Sequence, residues 1–200
     1  MAQPSPPDYR YHLESQIREC YGRCAYTHKT HEKMAERLAA SQNRWKQGNI
    51  ILSALITGGA VGTIFGAETP FFGYATTFLA ILSLIVNAYL KDLDPGALAQ
   101  KHRESASDIW NVRDSYQSLI TDSLDPQIPI QDLRDRRDAL QAALHKIYLA
   151  APFTDDKAYA KAQKALKNNE DLMFSDAEVD KMLPTTLRRE GRVPQLKTSA

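Results

Sequence analysis

Four residues near the start of the chain have the types that bind a transition metal, namely Cys20, Cys24, His28 and His31 in the spacing C-x3-C-x3-H-x2-H. The four ligands of one zinc ion must lie within a few ångströms of one another. We predict that this region is a helix. On one straight helix, Cys20 and His31 are about 16 Å apart along the axis. At most a neighbouring pair could bind a metal, with help from another chain. We therefore expect no metal site and no cofactor.

The sequence contains no motif of a known enzyme: it has no glycine-rich phosphate loop, no G-x-S-x-G and no H-E-x-x-H. Acidic and basic side chains alternate from Asp132 to Asp138, which is typical of a solvated helix face with salt bridges. The net charge of +1 provides no global field that would attract nucleic acid. We expect neither an enzyme activity nor a nucleic-acid partner.

Two stretches without an ionisable side chain, 47–67 and 69–90, dominate the middle of the chain and are separated by Glu68 alone. A helix crosses the roughly 30 Å hydrocarbon core of a bilayer with about 20 apolar residues, so each stretch is long enough. The alternative is a pair of buried helices in a soluble protein, but such helices are usually shorter. The pattern predicts a two-pass transmembrane hairpin in a lipid bilayer.

Basic residues near the spans predict the orientation of this hairpin. They lie before the first span and after the second, whereas the turn between the spans has none, so both termini are expected in the cytoplasm. The start, MAQPSPPDYR, does not resemble a signal peptide. Trp45 and Tyr89 are expected to be interfacial anchors at the inner boundary. The basic residues are Lys29, Lys33, Arg37, Arg44 and Lys46, then Lys91, Lys101 and Arg103.

Small residues recur on one face of the first span, where Gly58, Gly62 and Gly66 form two overlapping G-x-x-x-G motifs. Glycines at this spacing let two helix backbones approach closely, which promotes association in lipid. Chance is the alternative, because glycine is generally tolerated in spans. We expect a helix-association face in a homo-oligomer.

The second span carries a small, polar stripe formed by Thr76, Ala80, Ser83 and Asn87 at steps of four, three and four residues. An asparagine side chain is costly against lipid and should face protein or water. Two interpretations stay open: the stripe forms hydrogen bonds inside the hairpin, or Thr76, Ser83 and Asn87 line a pore.

The sequence on either side of the spans indicates helices and no strands, so we predict an all-α fold. A heptad seam, typical of a coiled coil, predicts one long amphipathic helix that continues directly into the first span. Asp94-Pro95 and Ser175 with Glu178 are helix starts. The seam consists of Leu13, Ile17, Cys20, Cys24, Thr27, His31, Met34, Leu38, Ser41 and Trp45. The expected organisation is a disordered start (1–8), a cytoplasmic amphipathic helix (9–47), transmembrane helix 1 (48–67), an extracytoplasmic turn (68–70), transmembrane helix 2 (71–90), a cytoplasmic helical region (91–187) and a loose tail (188–200).

Seven segments follow one another in a characteristic order: YTHKTHEKMAERL, a span that ends in GTIFG, a second span that leads to LKDLDP, then KHRESASDIWNVRDSYQSLITD, RRDALQAALHKIYLAAPFT, KAYAKAQKALK and FSDAEVDKMLP. Together, over about residues 10–190, they resemble the SLATT domain. The resemblance implies a two-span protein of the bacterial inner membrane that serves nucleotide-signalling anti-phage systems. It also implies a pore-forming effector that kills or arrests an infected cell, and it carries no catalytic residues.

The expected function is therefore a homo-oligomeric membrane effector of antiviral defence by abortive infection, which opens or breaches the membrane when triggered. Because the sequence shows no fused sensing domain, the expected trigger is a separate sensor, a protein that produces a nucleotide signal, or a cyclic nucleotide ligand. The alternative is a non-conducting membrane anchor or scaffold that presents its cytoplasmic helices to a signalling partner. Leakage of ions on activation distinguishes the two.

The orientation can be tested with a thiol reagent that does not cross membranes. Because both arms are expected in the cytoplasm, the reagent should label intact cells only when Glu68→Cys has been introduced into the turn. Labelling of the native Cys20 or Cys24 from outside would reverse the orientation.

Overall fold

The computed structural model describes residues 6–65, 70–168, 174–184 and 188, with side chains from residue 9 onward. Within these ranges every regular element is a helix, which confirms the all-α prediction. The helices are α1 (Pro6–Ile64), α2 (Phe71–Leu93), α3 (Pro95–Ser123), α4 (Ile130–Ala150), α5 (Asp156–Asn168) and α6 (Asp176–Met182). Most of the expected disordered start, most of the turn at 68–70 and nearly all of the tail lie outside the described residues; α1 begins at Pro6.

Helix α1 is a single uninterrupted helix of 59 residues. At about 1.5 Å per residue it is about 88 Å long. Its only prolines, Pro6 and Pro7, lie in the first turn, where a missing N–H removes no intrahelical hydrogen bond. The amphipathic arm and the first uncharged stretch therefore form one rod, with no hinge between them.

Helices α2 and α3 follow each other with a break of one residue at Asp94. Its backbone has φ 29° and ψ 68°, in the left-handed region that ends a helix. The Asp94 side chain then accepts a hydrogen bond of 3.0 Å from the backbone N–H of Ala97, and Pro95 occupies the first turn of α3. The predicted helix start at Asp94-Pro95 is confirmed. It forms the joint between the second uncharged stretch and the polar part of the structure, which consists of residues 9–46 of α1 together with α3 and α4.

Helix α1 packs antiparallel against α2 and α3 along almost its whole length. At the end far from the spans, the Arg10 guanidinium donates to the backbone oxygens of Ser123 and Asp125 at 3.0 and 2.8 Å. Inside the uncharged stretches, Asn49 contacts Asn87. Residues later in α1 contact residues earlier in α2 and α3, as an antiparallel pairing requires. One helical hairpin therefore extends from the spans to the tip of the polar part.

The hydrophobic core lies in the polar part, where α1, α3 and α4 meet. Apolar positions three and four residues apart give each helix an apolar stripe, and the three stripes are buried together. Tyr116 and Leu133 are completely buried. The buried members of the core are Leu13, Ile17, Cys24, Ile109, Val112, Tyr116, Leu119 and Leu133.

The buried line along α1 differs from the predicted seam beyond Cys24. It keeps the predicted His31 but includes His28 and Ala35 in place of Thr27 and Met34, which are only partly buried, and Trp45 is 45% exposed. The reason is a second step of four residues, from Cys24 to His28, after the step from Cys20 to Cys24. Two such steps shift the contact line by one residue relative to a strict heptad.

The uncharged parts of α1 and α2 lack the burial that a soluble core would give them. No residue of α2 is buried, and the most apolar window of each candidate span has none of its residues buried within the chain. Large apolar side chains point outward on all sides, among them Ile50, Ile51, Leu55, Phe71, Phe78, Leu84 and Ile85. Such a surface fits lipid and does not fit water.

Helices α5 and α6 begin at side-chain caps, whereas α4 begins after Pro129 without one. Asp155 accepts a 2.9 Å hydrogen bond from the backbone N–H of Ala158 at the start of α5. Residues 163–200 form a separate compact unit that contains α6. There, Ser175 and Glu178 form the predicted capping box, since each side chain accepts a hydrogen bond from the other residue's backbone N–H.

Leu133 offers a test of the packing of α4 on the core. It is completely buried, and Leu133→Ala should lower the free energy of unfolding by about 2–5 kcal/mol because it leaves a cavity. Leu149→Ala, at a position 75% exposed on the same helix, should change it by less than about 0.5 kcal/mol. Thermal unfolding of the full chain in detergent micelles measures both. Equal losses would mean that α4 does not pack as described.

Candidate functional site

The two uncharged segments approach closely where Gly59 of α1 faces Thr76 of α2. A Cβ atom at Gly59 would overlap Thr76 Oγ1 and lie 3.5 Å from Thr76 Cβ. The Thr76 hydroxyl donates a 2.7 Å hydrogen bond to the Phe72 carbonyl in its own helix, so it needs no partner on α1. Gly59 is therefore the small residue that lets this hairpin close. The prediction overlooked it, although the Gly58-Gly59 doublet placed glycine on two sides of the helix.

The glycines singled out from the sequence lie elsewhere on α1. Cβ atoms built at Gly58 and Gly62 would find no described atom of the chain within 4 Å. Gly66 lies outside the described residues. The face with Gly58 and Gly62 is thus not used for contact with α2, and its role in association between copies stays a prediction.

A chain of three polar side chains connects the two segments near their polar ends. Asn49 Nδ2 donates to Asn87 Oδ1 at 2.7 Å, and Asn87 Nδ2 donates to Ser83 Oγ at 3.3 Å. Amide groups bonded in this way satisfy each other where water is absent. Asn49 was missed in the sequence, and its signal was that it is the only asparagine in the first uncharged stretch.

Three of the four residues of the predicted polar stripe of α2 lie at the contact with α1, whereas Ala80 is exposed. Thr76 contacts Gly59, while Ser83 and Asn87 take part in the hydrogen bonds to Asn49. Of the two interpretations left open, this arrangement corresponds to hydrogen bonding within one hairpin. A pore lining by the same residues requires another arrangement of the helices and stays a prediction.

The packing between the two segments is incomplete at the same level. A groove of about 310 Å³ lies beside the asparagine pair and is lined mainly by apolar side chains, among them Trp45, Leu52 and Val86. Trp45 on α1 and Tyr89 on α2 are both exposed at this end of the hairpin, as interfacial anchors would be. Hydrogen bonds, more than tight apolar packing, hold the segments together here.

The metal candidates lie in the polar part and have other partners. His28 Nδ1 is 3.0 Å from the Ala106 carbonyl oxygen, and His31 Nδ1 is 2.9 Å from Nδ1 of His102 on α3. Burial is the main cause that raises the pKa of the Cys24 thiol to about 11, so the thiol stays protonated and behaves as a core side chain. Among the residues that the structure describes, no group of three potential ligands is placed to hold a metal ion.

A helical hairpin with two apolar spans at one end and a polar helical part at the other is the architecture of a known family. Residues 13–178 match the family described as SMODS and SLOG-associating 2TM effector domain family 4. The chain belongs to this SLATT family. Neither a curated protein nor a solved structure matches the chain.

Membership in the SLATT family confirms the resemblance found in the sequence and determines the broad class. The protein is a membrane protein with two transmembrane helices, α2 and the last part of α1. It is an effector domain of a kind that associates with SMODS and SLOG proteins of nucleotide-signalling defence systems, which is not a known enzyme family. The family description assigns no functional residue, so roles within this SLATT chain must come from its geometry.

Gly59 and Gly58 form a matched pair for testing which glycine closes the hairpin. In Gly59→Ile the side chain would overlap Thr76, so α1 and α2 should separate and the thermal midpoint in detergent should fall by several degrees. In Gly58→Ile the midpoint should change little, because a Cβ there has no neighbour within 4 Å in the described part of the chain. Gly58→Ile should instead reduce cross-linked oligomers if that face joins copies. An equal fall in midpoint for both variants would contradict the assignment.

Proposed function

We propose that the protein is a homo-oligomeric effector of a bacterial anti-phage defence system in the inner membrane, with both termini in the cytoplasm. When triggered, the spans rearrange and conduct ions or breach the membrane, and the cell dies or stops growing. The observation that carries this proposal is the polar chain Asn49–Asn87–Ser83, whose two hydrogen bonds bridge the two spans inside one hairpin.

The bridge supports the proposal because its groups could exchange partners. Hydrogen bonds between helices in a membrane contribute only about 0.6–2 kcal/mol each. If α1 and α2 separate, the amides of Asn49 and Asn87 must bond to water or to another copy, since lipid offers no partner. Polar groups that turn toward a common axis would then lower the cost of hydrating a narrow path.

The two routes from the polar part to the spans differ in stiffness. Helix α1 crosses the membrane boundary without a break, so a tilt or shift of its polar half moves its span directly. On the other side, α3 and α2 meet at the single joint residue Asp94. A trigger that changes how α1 packs on α3 would therefore move one span against the other, as a two-state switch requires.

The trigger would act on the polar part. A separate sensor, a protein that produces a nucleotide signal, or a cyclic nucleotide ligand would bias the packing of α1 and α3 by binding one arrangement more tightly than the other. Copies would associate through the open face of Gly58 and Gly62, since a Cβ atom at either position has no neighbour within 4 Å among the described residues.

A second candidate function is a non-conducting anchor that presents its polar part to a signalling partner. Two large apolar side chains outside the spans favour it, since Leu149 is 75% and Phe153 97% exposed. Exposed aromatic and aliphatic side chains are common where one protein binds another. Both candidates predict the same membrane topology, so ion leakage must decide between them.

The test is membrane potential in bacteria that produce the protein with its signalling partner during phage infection, read with a voltage-sensitive dye. Wild type should depolarise the membrane. Asn87→Leu, of similar volume, should retain the potential at equal protein level because the polar path is lost. Ser83→Leu should act likewise, and Leu84→Ala, on the outward face, should behave as wild type.

Two results would change the conclusion. If wild type never depolarises the membrane, the pore proposal fails and the anchor takes its place. If wild type depolarises and both stripe variants match it, the effector conducts by a path that Ser83 and Asn87 do not line.

A further inference from the structure

A pair of buried histidines joins α1 to α3 between the hydrophobic core and the joint at Asp94. His31 and His102 are 3% and 0% exposed, and their ring centroids are 5.1 Å apart. Their Nδ1 atoms are 2.9 Å apart. A hydrogen bond between two imidazole nitrogens needs one N–H and one lone pair, so the contact cannot survive when both rings are protonated. Two imidazolium rings would place two N–H groups and two positive charges against each other.

The surroundings of the pair oppose its protonation. Burial is the main cause that lowers the pKa of His31 to about 4, and His102 and His28 contribute. Burial also lowers the pKa of His102; Arg37 acts in the same direction, whereas Asp155 opposes it. Arg37 and Asp155 largely offset each other because they form an ion pair, with Arg37 Nη1 2.9 Å from Asp155 Oδ1. Both rings are therefore uncharged at neutral pH.

One nitrogen of the pair has no counterpart. His102 Nε2 is buried and lacks a hydrogen-bond partner among the described residues. An unsatisfied buried polar atom destabilises the closed arrangement, and a proton delivered there would find no acceptor. A pair of apolar side chains would pack at this position without such a cost, so packing alone does not account for the two imidazoles.

We propose that His31 and His102 form a proton-operated latch, which holds α1 against α3 near neutral pH and releases α3 when the surrounding solution becomes acidic. The first two turns of α3, from Pro95 to His102, would be freed while the core beyond Ile109 stays packed. Only the effect of the latch on the spans rests on the proposed function. Its opening is defined by the separation of α1 and α3 and can be measured without any ion flux.

The direction of the pH effect follows from the lowered pKa values. A histidine released into water has a pKa of about 6.5, so the open state binds protons that the closed state rejects. The latch is therefore intact above about pH 6.5 and loosens as the pH falls toward 4. Each proton taken up only on opening changes the open-to-closed ratio by about tenfold per pH unit.

His28, one turn before His31, differs in its partners and is not part of the latch. Its Nδ1 donates to the Ala106 carbonyl, and its Nε2 lies 3.4 Å from a carboxylate oxygen of Glu32. Lys29 also pairs with Glu32, and the hydrogen bond to His28 is the main cause that lowers the pKa of Glu32 to about 2. His28 thus lies beside a backbone carbonyl and a carboxylate, whereas His31 and His102 contact each other.

The experiment measures the distance between nitroxide labels at Glu36→Cys and Gln100→Cys, which are exposed on α1 and α3. It uses the full chain in lipid nanodiscs, with Cys20→Ala and Cys24→Ala, by pulsed electron paramagnetic resonance. Between pH 7.5 and 5, a longer-distance population should grow at least tenfold. In His31→Leu with His102→Leu the distances should stay short at both pH values. The exposed His12→Gln is the control and should respond like the unsubstituted background.

A second variant covers the case in which the leucine pair does not fold. His102→Gln keeps a hydrogen-bond partner for His31 and removes one titrating group, so the pH dependence should become shallower, with at most one proton per opening. No longer-distance population down to pH 4.5 would overturn the latch, as would equal growth in the leucine variant. A stoichiometric metal in the purified protein, lost in that variant, would also overturn it.

Potassium flux from vesicles that contain the same protein separates the latch from the proposed function. Helix separation at low pH without flux would contradict conduction and leave the latch intact. Flux in the leucine variant, with α1 and α3 still close, would support conduction and contradict the latch.

Discussion

The structure depends on the backbone continuity of α1 across the membrane boundary. In lipid every backbone N–H and C=O must be satisfied within the segment, so the span has to be helical. Because no proline or unsatisfied turn separates the span from the arm, the same hydrogen-bond ladder continues into water for the rest of the 59 residues. The opposite side of the hairpin, formed by α2 and α3, is interrupted at Asp94. One side of the hairpin is thus rigid and the other jointed.

The contacts along this hairpin change character with their surroundings. In water, burial of apolar side chains such as Ile17, Ile109 and Tyr116 stabilises the pairing of α1 with α3. In lipid there is no such driving force, and α1 pairs with α2 through the close approach at Gly59 and the amides of Asn49 and Asn87. The polar part is consequently held by a buried apolar core, whereas the spans are held by a close approach and by hydrogen bonds.

Local features could be read from the sequence, and features that depend on the partner face could not. The spans follow from the absence of charge, and the caps at Asp94 and Ser175 follow from residues within one turn. Which of Gly58, Gly59 and Gly62 faces α2 depends on the rotation of α1 about its axis. The spacing of the glycines in the sequence does not indicate this rotation. For the same reason the seam beyond Cys24 was misplaced at Thr27 and Met34, although its member His31 is buried. His102 drew no notice, because its partner is 71 residues away.

These contrasts explain why a signal received in the polar part could reach the spans. A packed core resists gradual deformation, so a weak point must exist where α3 can separate without unfolding. In the proposed latch this weak point is the layer between the core and Asp94, where one hydrogen bond joins the two rings and His102 Nε2 has no partner among the described residues. Next to the joint, a Cβ on Gly96 would overlap the Gln42 side chain, so α1 and α3 are in close contact there. Any displacement of α3 at His102 must then be taken up at Asp94 or transmitted into α2, and through Asn87 to the opposite span.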